Sequence, residues 1–284
     1  MGYTQSNFNS DNCLIGGVTV DFGPFGFIER YAPGWSMWVG SAEGTHFSFM
    51  NQPRAAGRNF RMFAQSLAPL LDAAGQRELR AVIGGYDAHA EAAMARMWAS
   101  KLGLGAGRAP SEAPSEASSQ ASSEASSASL AQELAQELLG LMGRHPCDYT
   151  LTWRQLARVA ERGAAGASDE ELLGLLEPAM YLPLGDKAAG WVRWLRRWLR
   201  AQQAEGGGGA EAARRMRLVS PKYIPREWML AEAYTGAEHD NHTALHALEA
   251  LLLRPYDEQP ELEAAYYRRA PHGTAQQGGI GFMS

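Results

Sequence analysis

Cysteine is nearly absent: only Cys13 and Cys147 occur in 284 residues, far apart and without metal-ligand spacing. Neither a disulfide framework nor a thiolate zinc site can be built from such a pair. No apolar run approaches the roughly 20 residues that a membrane helix needs. The opening residues Met1 to Asn7 carry neither a basic nor a strongly apolar stretch of the signal-peptide kind. Excess positive charge is lacking too, since the formal net charge is −5, which leaves no general field for nucleic acid. The one dense basic group is Arg193, Arg196, Arg197 and Arg200. No repeat period recurs, which argues against a solenoid. A globular protein with no nucleic-acid partner and no membrane partner is the expectation.

The chain divides by composition. Residues 1–57 are rich in Gly, Asn, Pro and aromatics, with one β-type run from Leu14 to Val20 whose two glycines suggest a tight hairpin. Residues 58–104 are helical in pattern: Phe60, Phe63, Leu67, Leu70 and Leu71 repeat at three and four, and a second helix spans Gln76 to Leu102, split or kinked at Gly84-Gly85. Residues 105–129 are Ala, Ser, Glu, Pro and Gly with nothing to bury, and are expected to be a disordered insertion. Residues 130–284 resume helical periodicity at Leu130, Leu134, Leu138 and at Trp153, Leu156, Val159, with a Gly-rich break at 205–210. Ser168 to Glu171 has the spacing of a capping box. Trp191, Trp194, Leu195 and Trp198 form a core stripe opposite the four arginines, and a last long helix is expected from Pro225 to about Leu253. The fold class is therefore mainly α with a short β-hairpin.

Chemistry concentrates between Asn9 and Phe27. An Asp11-Asn12 pair precedes the expected hairpin and Asp21-Phe22-Gly23 follows it. A hairpin returns its ends to each other, so Asn12 and Asp21 can meet. An amide oxygen and a carboxylate are hard donors suited to Mg²⁺ held against nucleotide phosphates. Asp11 cannot point the same way as its neighbour from extended backbone. It is instead a candidate to accept the proton of an attacking hydroxyl. Asp-Phe-Gly alone is also ordinary turn chemistry.

The run from Gly2 to Asn12, followed by Gly16, Thr19 and Asp21 to Phe27, resembles the signature of the selenoprotein O (YdiU-like) family. Further matches follow in order: Phe49 to Pro53, Arg58 to Phe60, Lys101 to Leu104, Asp148 to Thr150, Ser220 to Arg226, Trp228 to Leu230 and Arg254 to Gln259. The resemblance implies a protein-kinase-like C-lobe plus a helical C-terminal extension, the N-lobe being absent from these residues. It also implies an ATP-dependent protein adenylyltransferase that binds ATP in reversed orientation and moves AMP to Ser, Thr or Tyr hydroxyls of protein substrates. Asp11 then matches the proton acceptor, Asn12 and Asp21 the Mg²⁺ ligands, and Asp21 also borders the nucleotide. Asn9-Ser10-Asp11 stands where kinases carry histidine, arginine and aspartate.

Met1 occupies the place of a family histidine, as an initiation site inside a longer reading frame would, and because these residues hold no glycine-rich loop or strand lysine upstream of Asp11 they are expected to be a fragment with little activity alone. The tail at Ser284 is expected either to be a true end or to stop just before a family cysteine or selenocysteine. The family implies a mitochondrial location in eukaryotes. Two other readings compete: a non-catalytic helical fragment that binds a partner, and a metallohydrolase centred on His242 and His246, four residues apart on an expected helix. Cys13 and Cys147 are expected to be packing residues.

Overall fold

The structure is a computed structural model that describes residues 1–16, 25–37, 46–105 and 118–271. Among these the chain is mainly helical, with one two-stranded antiparallel sheet, β1 (Tyr3–Gln5) and β2 (Phe25–Phe27). The helices are α1 (Gln52–Leu67), α2 (Ala73–Gly84), α3 (Tyr86–Lys101), α4 (Ser118–Arg144), α5 (Tyr149–Ala164) and α6 (Asp169–Leu176). They continue as α7 (Ala188–Ala204), α8 (Ala210–Val219), α9 (Glu227–Glu238), α10 (Thr243–Leu252) and α11 (Pro260–Tyr266).

The core lies where α3, α4, α5, α7 and α8 meet, and indoles organise it. Trp98 stacks on Trp153 with centroids 5.6 Å apart, and Trp194 stacks on Trp198 at 5.5 Å. Rings of this size contribute large buried area, but each indole N–H wants an acceptor. Trp194 donates to the Leu134 carbonyl at 2.9 Å and Trp198 to that of Leu102 at 2.8 Å. Leu134, Leu138, Leu156 and Val159 are fully buried, as their spacing predicts. Helices α5 and α7 approach closely because Gly163 has no side chain: a Cβ there would lie 2.5 Å from Leu199.

Helix ends follow local chemistry. The split between α2 and α3 falls at Gly85, and the Ser168 capping box is present, Ser168 Oγ accepting from Glu171 N while Glu171 accepts from Ser168 N. Lys101 to Leu104 closes α3: Gly103 takes φ +64°, Leu104 N donates to Ala99 O, and Gly103 N donates to Ser100 O. This is a Schellman cap, its two leucines buried beside it.

Three expectations change. The helical pattern expected over residues 58–104 begins earlier, at Gln52, with Pro53 in the first turn, where a missing N–H costs nothing. Residues 118–129, expected to be disordered, are the first turns of α4. Ala and Glu favour helix, and the buried leucines from Leu134 onward anchor a rod that propagates back through them. The long C-terminal helix is two helices, because Asp240 adopts φ 58° and Asn241 N donates to Gly236 O. Gly236 permits this fold-back, since a Cβ there would lie 2.7 Å from the Asn241 oxygen.

Candidate active site

Pairing of Gln5 with Phe25 closes the segment 6–24 at its base. The β-run expected to form a hairpin at Leu14 to Val20 is a turn at its first residues, and 17–20 lie outside the described residues. The described strands are the flanks of the segment instead, so the chain still returns on itself across it. Gly26 makes that closure tight, because a Cβ there would lie 2.5 Å from Met37 and 3.1 Å from Trp35. Tyr3 packs on Phe25 and Phe27 at 5.8 and 5.5 Å.

Below this closure the loop is held by neutral amides. Gln52 at the start of α1 accepts from Gln5 N and donates to Gln5 O, both at 3.2 Å, so one side chain extends the edge of β1 as a further strand residue would. Its amide also reaches Phe47 O at 2.6 Å. Ser6 Oγ accepts from Met37 N at 2.8 Å. Asn59, on α1, donates to Phe8 O at 2.9 Å and touches Cys13 Sγ at 3.3 Å. Asn9 donates to Asn7 Oδ1.

Residues Ser10–Asn12 form one 3-10 turn on this frame. Asn12 Nδ2 donates to Asn7 O at 2.7 Å, which commits its NH₂ end to the protein and leaves the oxygen end as the lone-pair donor. Asp11 is exposed and makes no ion pair among the described residues. One neighbour is anchored and one open, on a 3-10 turn rather than the extended backbone expected. Asp21, the third predicted residue, lies outside the described residues. Of the two predicted Mg²⁺ ligands, Asn12 presents an amide oxygen, a donor that fits Mg²⁺, a cation that prefers oxygen and keeps several waters. Among the described residues no three His, Cys, Asp or Glu side chains converge.

Cys13 is half-buried, and burial raises its thiol above the ordinary range. Cys147 is fully buried and pushed up to about 12 for the same reason. Both keep their protons, in accord with packing. His242 and His246 are exposed, at 46% and 72%, with rings 6.3 Å apart and only loose carboxylate neighbours. His242 caps α10 rather than lying within a continuous helix.

The loop's frame is tied to the core by a charged node that reading the sequence did not single out. Arg226 grips Asp148 through both nitrogens, at 2.6 and 3.1 Å, and reaches Glu29 at 2.9 Å. Arg226 and Asp148 are almost wholly buried. The Asp148 and Glu29 carboxylates hold the guanidinium pKa above its ordinary value, against the cost of burial. Asp148 also caps α5 by accepting from Leu151 N, and Tyr149 N donates to Glu29 O. The chain leaving β2 is thereby stitched to the start of α5. Gln52, Asn59, Asp148 and Arg226 all fall in the segments that resemble the family, which was the one signal that could have found them.

Comparison with known proteins agrees with that resemblance. The family model described as protein adenylyltransferase SelO matches residues 1–252. A protein nucleotidyltransferase YdiU of Azoarcus sp. (strain BH72) is 30% identical, the match covering 100% of this chain and 49% of the relative. Those of Xanthomonas campestris pv. campestris (strain B100) and Thioalkalivibrio sulfidiphilus are 29% and 30% identical, covering 100% and 98% of the chain and 49% and 50% of their own lengths. The chain spans about half the length of the curated relatives it matches.

Proposed function

The chain belongs to the protein adenylyltransferase SelO family, and from that premise we propose that it supplies the catalytic-loop side of an enzyme transferring AMP from ATP to protein hydroxyls. Relatives named protein nucleotidyltransferases support the general reaction class. One observation carries the assignment of roles: Asp11 stands open while the adjacent Asn12 is anchored through its NH₂ end with its oxygen available.

In this reading the hydroxyl oxygen of a Ser, Thr or Tyr side chain attacks the α-phosphorus of ATP. The bond from that phosphorus to the bridging oxygen breaks and pyrophosphate leaves. Asp11 accepts the hydroxyl proton through a carboxylate oxygen. Asn12 and Asp21 would hold Mg²⁺, which when bound neutralises charge on the phosphates. The amide frame of Gln52 and Asn59 holds the loop, so that Asp11 keeps one position without a charged partner of its own. A salt bridge to Asp11 would compete with the proton it is to accept.

The test is transfer of labelled AMP to a protein acceptor, measured on the 284-residue chain and on that chain joined to the remaining half of the Azoarcus relative. Asp11→Asn and Asp21→Ala are each expected to lower the rate by about 10² or more, the loss typical of a general base or a metal ligand. Unchanged transfer in both variants would remove these roles.

A further inference from the structure

Helices α4 and α7 leave between them an open groove of about 840 Å³, remote in sequence from the catalytic loop. Its charge is uneven. Arg144, Lys187, Arg193 and Arg197 line it against two carboxylates, Glu137 and Asp186, in a chain whose net charge is −5.

The structure sorts the four arginines of α7 into spent and unspent. Arg196 is held by Asp169 and the Ala167 carbonyl, and Arg200 donates to Arg196 O outside the groove. Arg197 bridges Glu133 and Glu137. Arg193 has no carboxylate partner among the described residues, and neither does Arg144 at the end of α4. Both are exposed, so two unpaired guanidiniums face one groove from its two walls.

Shape narrows the ligand. Lys187 is paired with Asp186 and Arg197 with Glu133 and Glu137, so the free charge of the groove is the two guanidiniums on its opposite walls. At about 840 Å³ the groove is far larger than one phosphate group and has room for a segment of chain. Nucleic acid fits poorly: the tryptophans Trp191 and Trp194 are buried and offer no stacking face, and two free guanidiniums are few for a continuous phosphate backbone.

We propose that the α4–α7 groove docks an extended acidic segment of a partner protein, with Arg144 and Arg193 as its free charge contacts. That the segment flanks the hydroxyl to be modified rests on the transferase reading. Docking itself does not.

The experiment is a fluorescence-anisotropy titration of the chain, without ATP, using a short fluorescein-labelled Ser/Glu peptide. The same peptide with Gln for Glu, inorganic phosphate and a single-stranded oligonucleotide serve as competitors. Binding of the acidic peptide is expected to weaken with rising salt and to fall about tenfold in Arg144→Gln/Arg193→Gln, the loss expected for two exposed pairs. Arg77→Gln/Arg80→Gln, an equal charge change on α2, is expected to leave it unaltered. No binding by the unaltered chain overturns the proposal. So does equal weakening in both double variants, or displacement as effective by oligonucleotide, phosphate or the Gln peptide as by the acidic peptide. Because the assay involves no transfer, its failure leaves the adenylyltransferase reading standing, and the converse also holds.

Discussion

Two of the parts of the molecule that carry motifs resembling the family are built from opposite materials. The loop bearing Asp11 and Asn12 is exposed and held by neutral Asn, Gln and Ser hydrogen bonds. The node at Glu29, Asp148 and Arg226 is buried and held by ion pairs. The contrast separates two meanings of a charged residue in a motif. A carboxylate such as Asp148, buried against a guanidinium, has its charge consumed by the fold. A carboxylate such as Asp11, on a frame of neutral amides, keeps its charge for a ligand or a proton.

The comparison predicts a graded response. Arg226→Ala should be the most damaging, because it strands Asp148 in the core with only the Leu151 N–H to solvate it. Breaking a buried pair from one side costs about 3–5 kcal/mol, and urea unfolding should show it. A loss below about 1 kcal/mol, the range of exposed pairs, would mean that the node is not the clamp described here.

Lys101 sharpens the same contrast through pH. It is buried with no carboxylate partner among the described residues, donating to Ser220 Oγ at 3.3 Å and lying 4.8 Å from the Trp153 ring centroid. Burial lowers its pKa from 10.5 to about 7. Between those values the unfolded chain binds the extra proton, so stability should rise with pH from about 7 upward. Above 9.0 the raised thiol of Cys147 acts in the opposite sense, since the unfolded chain then loses a proton that the folded one keeps. Below 8.0 the Met1 amine, lowered by burial to about 4, adds a rise of the same sign, so the clean window for Lys101 is pH 8 to 9. Urea midpoints should climb across it, and Lys101→Met should flatten the climb. Identical slopes in the two proteins would show that Lys101 remains charged in the core.

The smallest effects belong to the loop. Asn59→Ala removes one neutral hydrogen bond to Phe8 O and should cost about 1 kcal/mol, with faster amide exchange confined to residues 7–13. Asp11→Asn should change stability by less than about 0.5 kcal/mol, as surface substitutions do, while lowering transfer. A large stability loss on Asp11→Asn would place that residue with Asp148 instead, and break the distinction.

Periodicity and local chemistry were legible from the residues. Leucine spacing marks α4 and α5, the Trp stripe marks α7, and Ser168 with Glu171 marks a helix start, because each depends on neighbours within a few positions. The break inside the last long helix was not, since Asp240 rather than glycine takes the left-handed conformation and nothing in its type announces that. The candidate site was legible as residue types: Asp11 and Asn12 lie as a pair on one turn.

What the residues alone determined about this protein is its helical class and its family, and they nominated a candidate site near the N-terminal end. All three follow from short-range pattern or ordered motif matches. Only the tertiary structure decided which polar residues are spent. Arg226 lies 197 positions from Glu29 and 78 from Asp148, and Gln52 and Asn59 reach back 47 and 51 positions to the loop. Arg193 differs from Arg196 and Arg197 in that, among the described residues, no carboxylate of a neighbouring helix reaches it. Burial and pairing across such distances arise from how helices pack, and no local pattern encodes them.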